Sequence, residues 1–297
     1  MSFPVPSVEA IQAALLLPEP PVHIGTGGFK AVYRTETPSG PEAIKAVYVP
    51  PPSDREDDVA RAQLIARAER EIEALGKCTS AALVKLGSLE PRLHSVEGHD
   101  YFIYGEEFLP GQSLTSWIKR EPRPSPPELI ALFSSLVGLI CELSRAGYLH
   151  RDIKPANVME TGMADRPFVI LDLGIAFKMH GTELTQGGGP PGTLLYMAPE
   201  LLKPNYKDVM DFRCDLYAAG LTVYVVASGV HPFVQQPGND YATIYRIMTQ
   251  RPGPLAELRP DLPSRFCEII DRCIRKKPAL RYARLDLVEN DMKEVKL

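Results

Sequence analysis

Cysteine is scarce and unpatterned in this chain. The five residues Cys78, Cys141, Cys214, Cys267 and Cys273 are odd in number and contain no C-x-x-C pair. That speaks against a disulfide framework or a zinc ribbon and predicts reduced, mostly buried thiols of a cytoplasmic protein. No apolar run approaches about 18 residues, so no segment is expected to cross a bilayer. Met1 to Leu17 has no basic stretch ahead of its apolar part, which argues against a secretory signal. Basic charge is not in excess: 33 Lys plus Arg against 37 Asp plus Glu leave a formal charge of −4. Nucleic acid is therefore not an expected partner, because phosphate backbones reward a concentrated basic face. Neither an internal repeat nor a low-complexity tail is present.

Proline, by contrast, is plentiful, and its placement divides the chain. Pro18, Pro20 and Pro21 separate a short helix expected over Val8 to Leu16 from a run of expected strands. These are Val22 to Ile24, Ala31 to Thr35 and Glu42 to Val49, the last ended by Pro50 to Pro52, which cannot donate to a sheet ladder. Asp54 to Lys77 carries apolar residues at helical spacing, Leu64, Ala68, Ile72 and Leu75, with Gly76 as a stop. Leu83 to Leu89 and Tyr101 to Leu109 are expected as further strands. Beyond Pro110 long helical patterns take over, notably Leu129 to Ala146 and Asp215 to Ser228. The expected organisation is α+β: residues 1–21 as an N-terminal extension, 22–109 as a small sheet-rich part and 110–297 as a larger helical part.

Three motifs carry chemistry. Gly25-Thr26-Gly27-Gly28-Phe29-Lys30-Ala31-Val32 lies between two expected strands. Glycines let a backbone approach phosphate oxygens and offer them N–H groups, although a glycine-rich hairpin is more often a plain turn. The strand after the glycines excludes a dinucleotide fingerprint, which needs a helix there. Ala43-Ile44-Lys45 places a lysine in an apolar strand, costly unless it meets negative charge or snorkels to water. Glu71 on the next helix is within reach as a partner, with Glu69 and Glu73 as competitors. Third, His150-Arg151-Asp152-Ile153-Lys154-Pro155-Ala156-Asn157 precedes Phe168 to Leu171 and then Asp172-Leu173-Gly174. An aspartate to orient a hydroxyl, an asparagine and a second aspartate to hold metal, and a lysine to neutralise phosphate are the parts phosphoryl transfer requires.

From Val22 to Asp286 the chain resembles the eukaryotic-like serine/threonine protein kinases of bacteria, a two-lobed fold with a β-rich N-lobe and a helical C-lobe. The resemblance implies ATP and Mg²⁺ as cofactors and proteins as substrates. It implies that Gly25, Thr26, Gly27, Gly28, Phe29 and Val32 cover the phosphates, that Ala43 beside the strand lysine helps to bind the cofactor, and that the backbone of the hinge from Glu107 to Leu109 binds adenine. Lys45 would contact phosphate and be paired by Glu71. Asp152 matches the catalytic aspartate, Lys154 the phosphate-contacting lysine, and Asn157 and Asp172 the metal ligands. Ala198-Pro199-Glu200, Asp215 with Gly220, and Arg281 also match, Glu200 as the arginine's partner and Asp215 as a brace of the catalytic loop. The sequence departs from the pattern at Lys30, which replaces the third loop glycine, at Leu173 in place of phenylalanine, and at Glu106, where an apolar gatekeeper is usual.

Lys154 together with Gly192-Thr193 resembles the serine/threonine class, with Thr193 lining the substrate groove. Thr185 and Thr182 are the expected autophosphorylation sites, read by a basic pocket of Arg151, Arg67 and Lys178. The alternatives are a small-molecule phosphotransferase of the same fold and a non-catalytic ATP-binding scaffold. The first generally lacks an Ala-Pro-Glu element; the second would have lost Lys45, Asp152 or Asp172. Oligomeric state is not fixed by the sequence.

Overall fold

The computed structural model describes residues 3–27, 29–51, 55–173, 194–203, 206, 210–235 and 240–297, without the side chains of 55–60, 63, 67 and 240. The chain forms two units, Met1–Lys77 with Val84–Leu109, and Cys78–Leu83 with Pro110–Leu297.

The first unit is built on five antiparallel strands: β1 (Val22–Gly27), β2 (Lys30–Thr37), β3 (Gly40–Val49), β4 (Arg92–Val96) and β5 (His99–Glu107), in the order β1-β2-β3-β5-β4. Two-residue alternation gives the sheet two apolar faces. On one face Ala31, Tyr33, Ile44, Ala46, Val96, Tyr101 and Ile103 receive Ile11 from helix α1 (Val8–Leu15), so this helix belongs to the core. The Tyr33 and Tyr101 hydroxyls donate to the Pro6 and Pro4 carbonyls at 2.5 and 2.9 Å, which fastens the segment ahead of α1. On the other face Val49, Phe102 and Tyr104 pack with Ala68 of helix α2 (Arg55–Lys77).

The strand expected over Leu83 to Leu89 is not a regular one: Leu83 and Leu86 make isolated bridges, the Gly87 N–H donates to the Gly105 carbonyl and the Glu107 N–H to the Lys85 carbonyl, each at 2.9 Å, and β4 itself begins later, at Arg92. The buried Glu42 lies against this segment. Its carboxylate accepts the Ser88 N–H at 2.8 Å, and a Cβ on Gly87 would lie 2.3 Å from the same side chain. Gly105 is needed for the same reason, since a Cβ there would come within 2.8 Å of Glu42 and 2.9 Å of Leu89.

The second unit is mainly helical: α3 (Leu114–Arg120), α4 (Pro126–Arg145), α5 (Phe212–Ser228), α6 (Asp240–Thr249), α7 (Leu255–Leu258), α8 (Ser264–Cys273) and α9 (Leu285–Lys293). A small sheet, β6 (Gln112–Ser113), β7 (Val158–Glu160) and β8 (Phe168–Ile170), accompanies them. Helix α4 starts where the Ser125 N–H donates to Glu128 (2.7 Å) and Pro126 supplies a first-turn residue with no N–H to satisfy. By length and composition alone α4 is apolar enough to cross a membrane, a test that the buried core helix of a globular domain also passes. Its apolar side chains, from Leu129 to Leu143, are buried against α5 and α9. Helix α5 is buried almost all round and touches α8 closely: a Cβ on Gly220 would lie 2.7 Å from the Cys273 Cβ.

Candidate active site

In the first unit, strand register assembles one group of charged side chains. Lys45 pairs with Tyr104 across β3 and β5, and the two-residue period puts Glu106 on the same sheet face as Tyr104. That is the face α2 covers, and α2 carries the buried Glu71. Lys45 Nζ lies 2.6 Å from Glu106 Oε1, with only 6% and 2% of the two side chains exposed. It also lies 5.8 Å from the centre of the Tyr104 ring. A carboxylate oxygen of Glu71 and one of Glu106 lie within 4.8 Å of each other. The sequence marked Glu106 as a carboxylate where an apolar residue is usual; that its partner is Lys45 follows only from register.

The glycine-rich turn joins β1 to β2. Gly25 and Gly27 are not in the left-handed region, and a Cβ on either would meet nothing within 4 Å. Neither the backbone nor any described neighbour therefore demands glycine there. Thr26 is exposed and its hydroxyl is 2.9 Å from His23 Nε2; Val32 faces Lys45 across the strand pair. Phe29 is 44% exposed and its ring lies 6.3 Å from that of Phe3. Gly28 lies outside the described residues. Ala43 pairs with Glu106; Glu107 accepts the Lys85 N–H at its carboxylate (2.8 Å), and Leu109 is buried.

In the second unit the motif around Asp152 is held by its own polar contacts. Lys154 Nζ donates to both Asp152 carboxylate oxygens at 2.9 Å, and Asn157 Nδ2 donates to Asp152 Oδ2 at 2.8 Å and to its carbonyl at 3.0 Å. The Asp152 side chain keeps 25% of its surface open. Asn157 immediately precedes β7 and Asp172 comes shortly after β8; the pairing of Val158 with Ile170, extended by the Leu171 N–H to the Asn157 carbonyl (2.8 Å), brings the two together. Asp172 sits at φ +40°, a left-handed conformation that aspartate tolerates better than most residues.

The loop is braced from below. Asp215, in the first turn of α5, accepts the His150 and Arg151 N–H groups, each at 2.7 Å. Arg151 lies at φ +66°, so the brace secures a backbone turn that a non-glycine residue resists. Burial pushes the Asp215 carboxyl up, while nearby His150 and those two bonds pull it back. Burial holds His150 below its ordinary pKa, and its Nδ1 accepts the Asp152 N–H at 3.3 Å. Further on, Glu200 receives two hydrogen bonds from Arg281 at 2.5 and 2.8 Å. Thr182, Thr185, Lys178, Gly192, Thr193 and the Arg67 side chain lie outside the described residues.

A sheet-rich unit with a glycine turn and a buried strand lysine, and a helical unit with a braced Asp152, define a protein kinase fold. Residues 20–292 match the family model for the protein kinase domain, and the chain belongs to that family. It is similar to the serine/threonine-protein kinase PknH of Mycobacterium tuberculosis, 30% identical over 266 residues, covering 88% of this chain and 39% of that protein. It is also similar to the serine/threonine-protein kinase pkn3 of Myxococcus xanthus, 27% identical over 283 residues, covering 92% and 48%. The chain thus spans less than half the length of these relatives. The crystal structure of the M. tuberculosis PknI kinase domain shares the fold, with a TM-score of 0.63 at 23% identity over 92% of this chain and 94% of that one.

Proposed function

We propose that this kinase domain transfers the γ-phosphoryl group of ATP to serine or threonine hydroxyls of protein substrates. The observation that carries the reading is the Asp152 carboxylate, held by Lys154 and Asn157 yet a quarter open on a loop braced by Asp215. Such a carboxylate can orient an acceptor hydroxyl and take its proton as the new P–O bond forms and ADP leaves. Lys154, beside the same oxygens, can balance charge on the transferred group. In the first unit, Lys45 and the open glycine turn suit the phosphates. Asn157 and Asp172 would hold Mg²⁺, to which an amide oxygen and a carboxylate are fitting hard ligands. Bound there, the ion would neutralise phosphate charge.

Proteins are favoured over small molecules as acceptors by Ala198-Pro199-Glu200, whose glutamate is buried and locked by Arg281. We place the protein in the cytoplasm, where thiols stay reduced; all five cysteines are buried and none is in a disulfide. Thr185 and Thr182 are the proposed autophosphorylation sites. Incubation with labelled ATP, Mg²⁺ and a general protein substrate tests the reading. Wild type should label protein, whereas Asp152→Asn should retain nucleotide binding and lose on the order of 10²–10⁴ in rate. Near-wild-type transfer by Asp152→Asn would refute the assignment.

A further inference from the structure

We infer that Glu106 is a positioning residue for Lys45, sharing with Glu71 the task of holding its ammonium group where a nucleotide phosphate is met. The inference rests on the nucleotide-binding role of Lys45 proposed above.

The geometry begins with the sheet. Lys45 and Tyr104 are opposite one another, so Glu106 is the diagonal neighbour two residues along β5, within reach of a long side chain. Their 2.6 Å contact is a charge-assisted hydrogen bond between two almost completely buried groups. A lysine has four rotatable side-chain bonds, and fixing them costs conformational entropy. Here the Tyr104 ring and the Glu106 carboxylate restrict Nζ before any ligand arrives.

Glu71 stands close by, buried, with a carboxylate oxygen within 4.8 Å of one from Glu106. A single ammonium group has three donors, so it can serve two carboxylates and still offer one to a phosphate oxygen. Burial of Glu106 makes the pairing costly to break, because an unpaired charge would then remain in the apolar interior. This division of the work between two carboxylates makes neither one indispensable to Lys45.

The test is a double-mutant cycle on the full chain, read by titration with a fluorescent ATP analogue and by KM for ATP against kcat. Glu106→Gln and Glu71→Gln should each weaken nucleotide binding about tenfold, the scale of one charged hydrogen bond. The double variant should fall to the level of Lys45→Met. Glu106→Asp, which keeps the charge on a shorter stem, should recover part of the loss. Thermal melting identifies variants that fail to fold, and Glu106→Met, which is apolar and of similar volume, provides a second folded test. A Glu106→Gln variant that melts earlier yet binds nucleotide like wild type would reduce Glu106 to a structural role and overturn the inference. So would a Glu71→Gln variant already as weak as Lys45→Met. Both outcomes leave the kinase reading intact, whereas absence of nucleotide binding by wild type would overturn both.

Discussion

Arg281 grips Glu200 through two hydrogen bonds of 2.5 and 2.8 Å, although the residues are 81 positions apart and the arginine side chain is fully buried. The same guanidinium donates to the Arg213, Arg275 and Lys276 carbonyls, which ties the Ala198-Pro199-Glu200 turn to helix α5 and to the segment after α8. Removing one partner strands the other charge in the interior. Glu200→Ala should therefore destabilise the protein by about 3–5 kcal/mol in urea unfolding. Replacing both, as Glu200→Leu with Arg281→Met, should recover much of that loss. Equal stability of Glu200→Ala and wild type would show that the pair does not hold the turn.

The brace beneath the Asp152 loop can be tested separately. Asp215→Ala removes the acceptor for two backbone N–H groups, while Asp215→Asn keeps one acceptor oxygen. Loss of each buried bond should cost about 1–3 kcal/mol. Because Arg151 is held at φ +66°, the alanine variant should also lose at least about tenfold in phosphoryl transfer, by the geometric sensitivity of such sites. Nucleotide affinity should stay near wild type in both. Full turnover by Asp215→Ala would mean that the loop keeps its shape without the brace.

Acid should weaken the helical unit through His231. Its Nδ1 accepts the Phe233 N–H at 3.3 Å and its Nε2 lies 3.2 Å from the Leu195 carbonyl, an arrangement the neutral ring satisfies. Burial brings its pKa down to about 4, with Lys276 adding in the same direction and the Leu195 carbonyl opposing. The unfolded chain binds this proton first as pH falls, so the His231 contribution is intact above about pH 6.5 and is lost on the way to pH 4. Melting temperature should fall across that window, and His231→Phe should show a shallower fall. Parallel pH profiles for the two proteins would contradict the assignment.

The N-terminal segment should behave as part of the core. Ile11 is fully buried between α1 and the sheet, so Ile11→Ala should cost about 2–5 kcal/mol. Tyr33→Phe removes only the bond to the Pro6 carbonyl and should cost about 1 kcal/mol. Denaturant unfolding checks both, and an unchanged midpoint for Ile11→Ala would show that α1 is dispensable.

Much of the protein is legible from local pattern alone. Period-2 runs place β2 and β3, and helical spacing places α2, α4 and α5 within a few residues, since these features depend on neighbours along the chain. The motif spacings single out Asp152, Lys154, Asn157 and Asp172, whose grouping follows from one short loop and one β-hairpin. The irregular pairing over Leu83 to Leu89 is not legible, because its contacts are distant: the Glu42 carboxylate that receives the Ser88 N–H lies 46 positions away. Nor is the burial of Ile11, which depends on a sheet face assembled from four later strands. The Lys45–Glu106 contact spans 61 positions and exists only because β3 and β5 pair in one register; a slip of a single residue would turn one of them to the opposite face. What the chain encodes by itself is which groups are available for chemistry. Which carboxylate each cation meets was decided by strand register and by the helices packed against it, since only these bring distant charges to hydrogen-bonding distance.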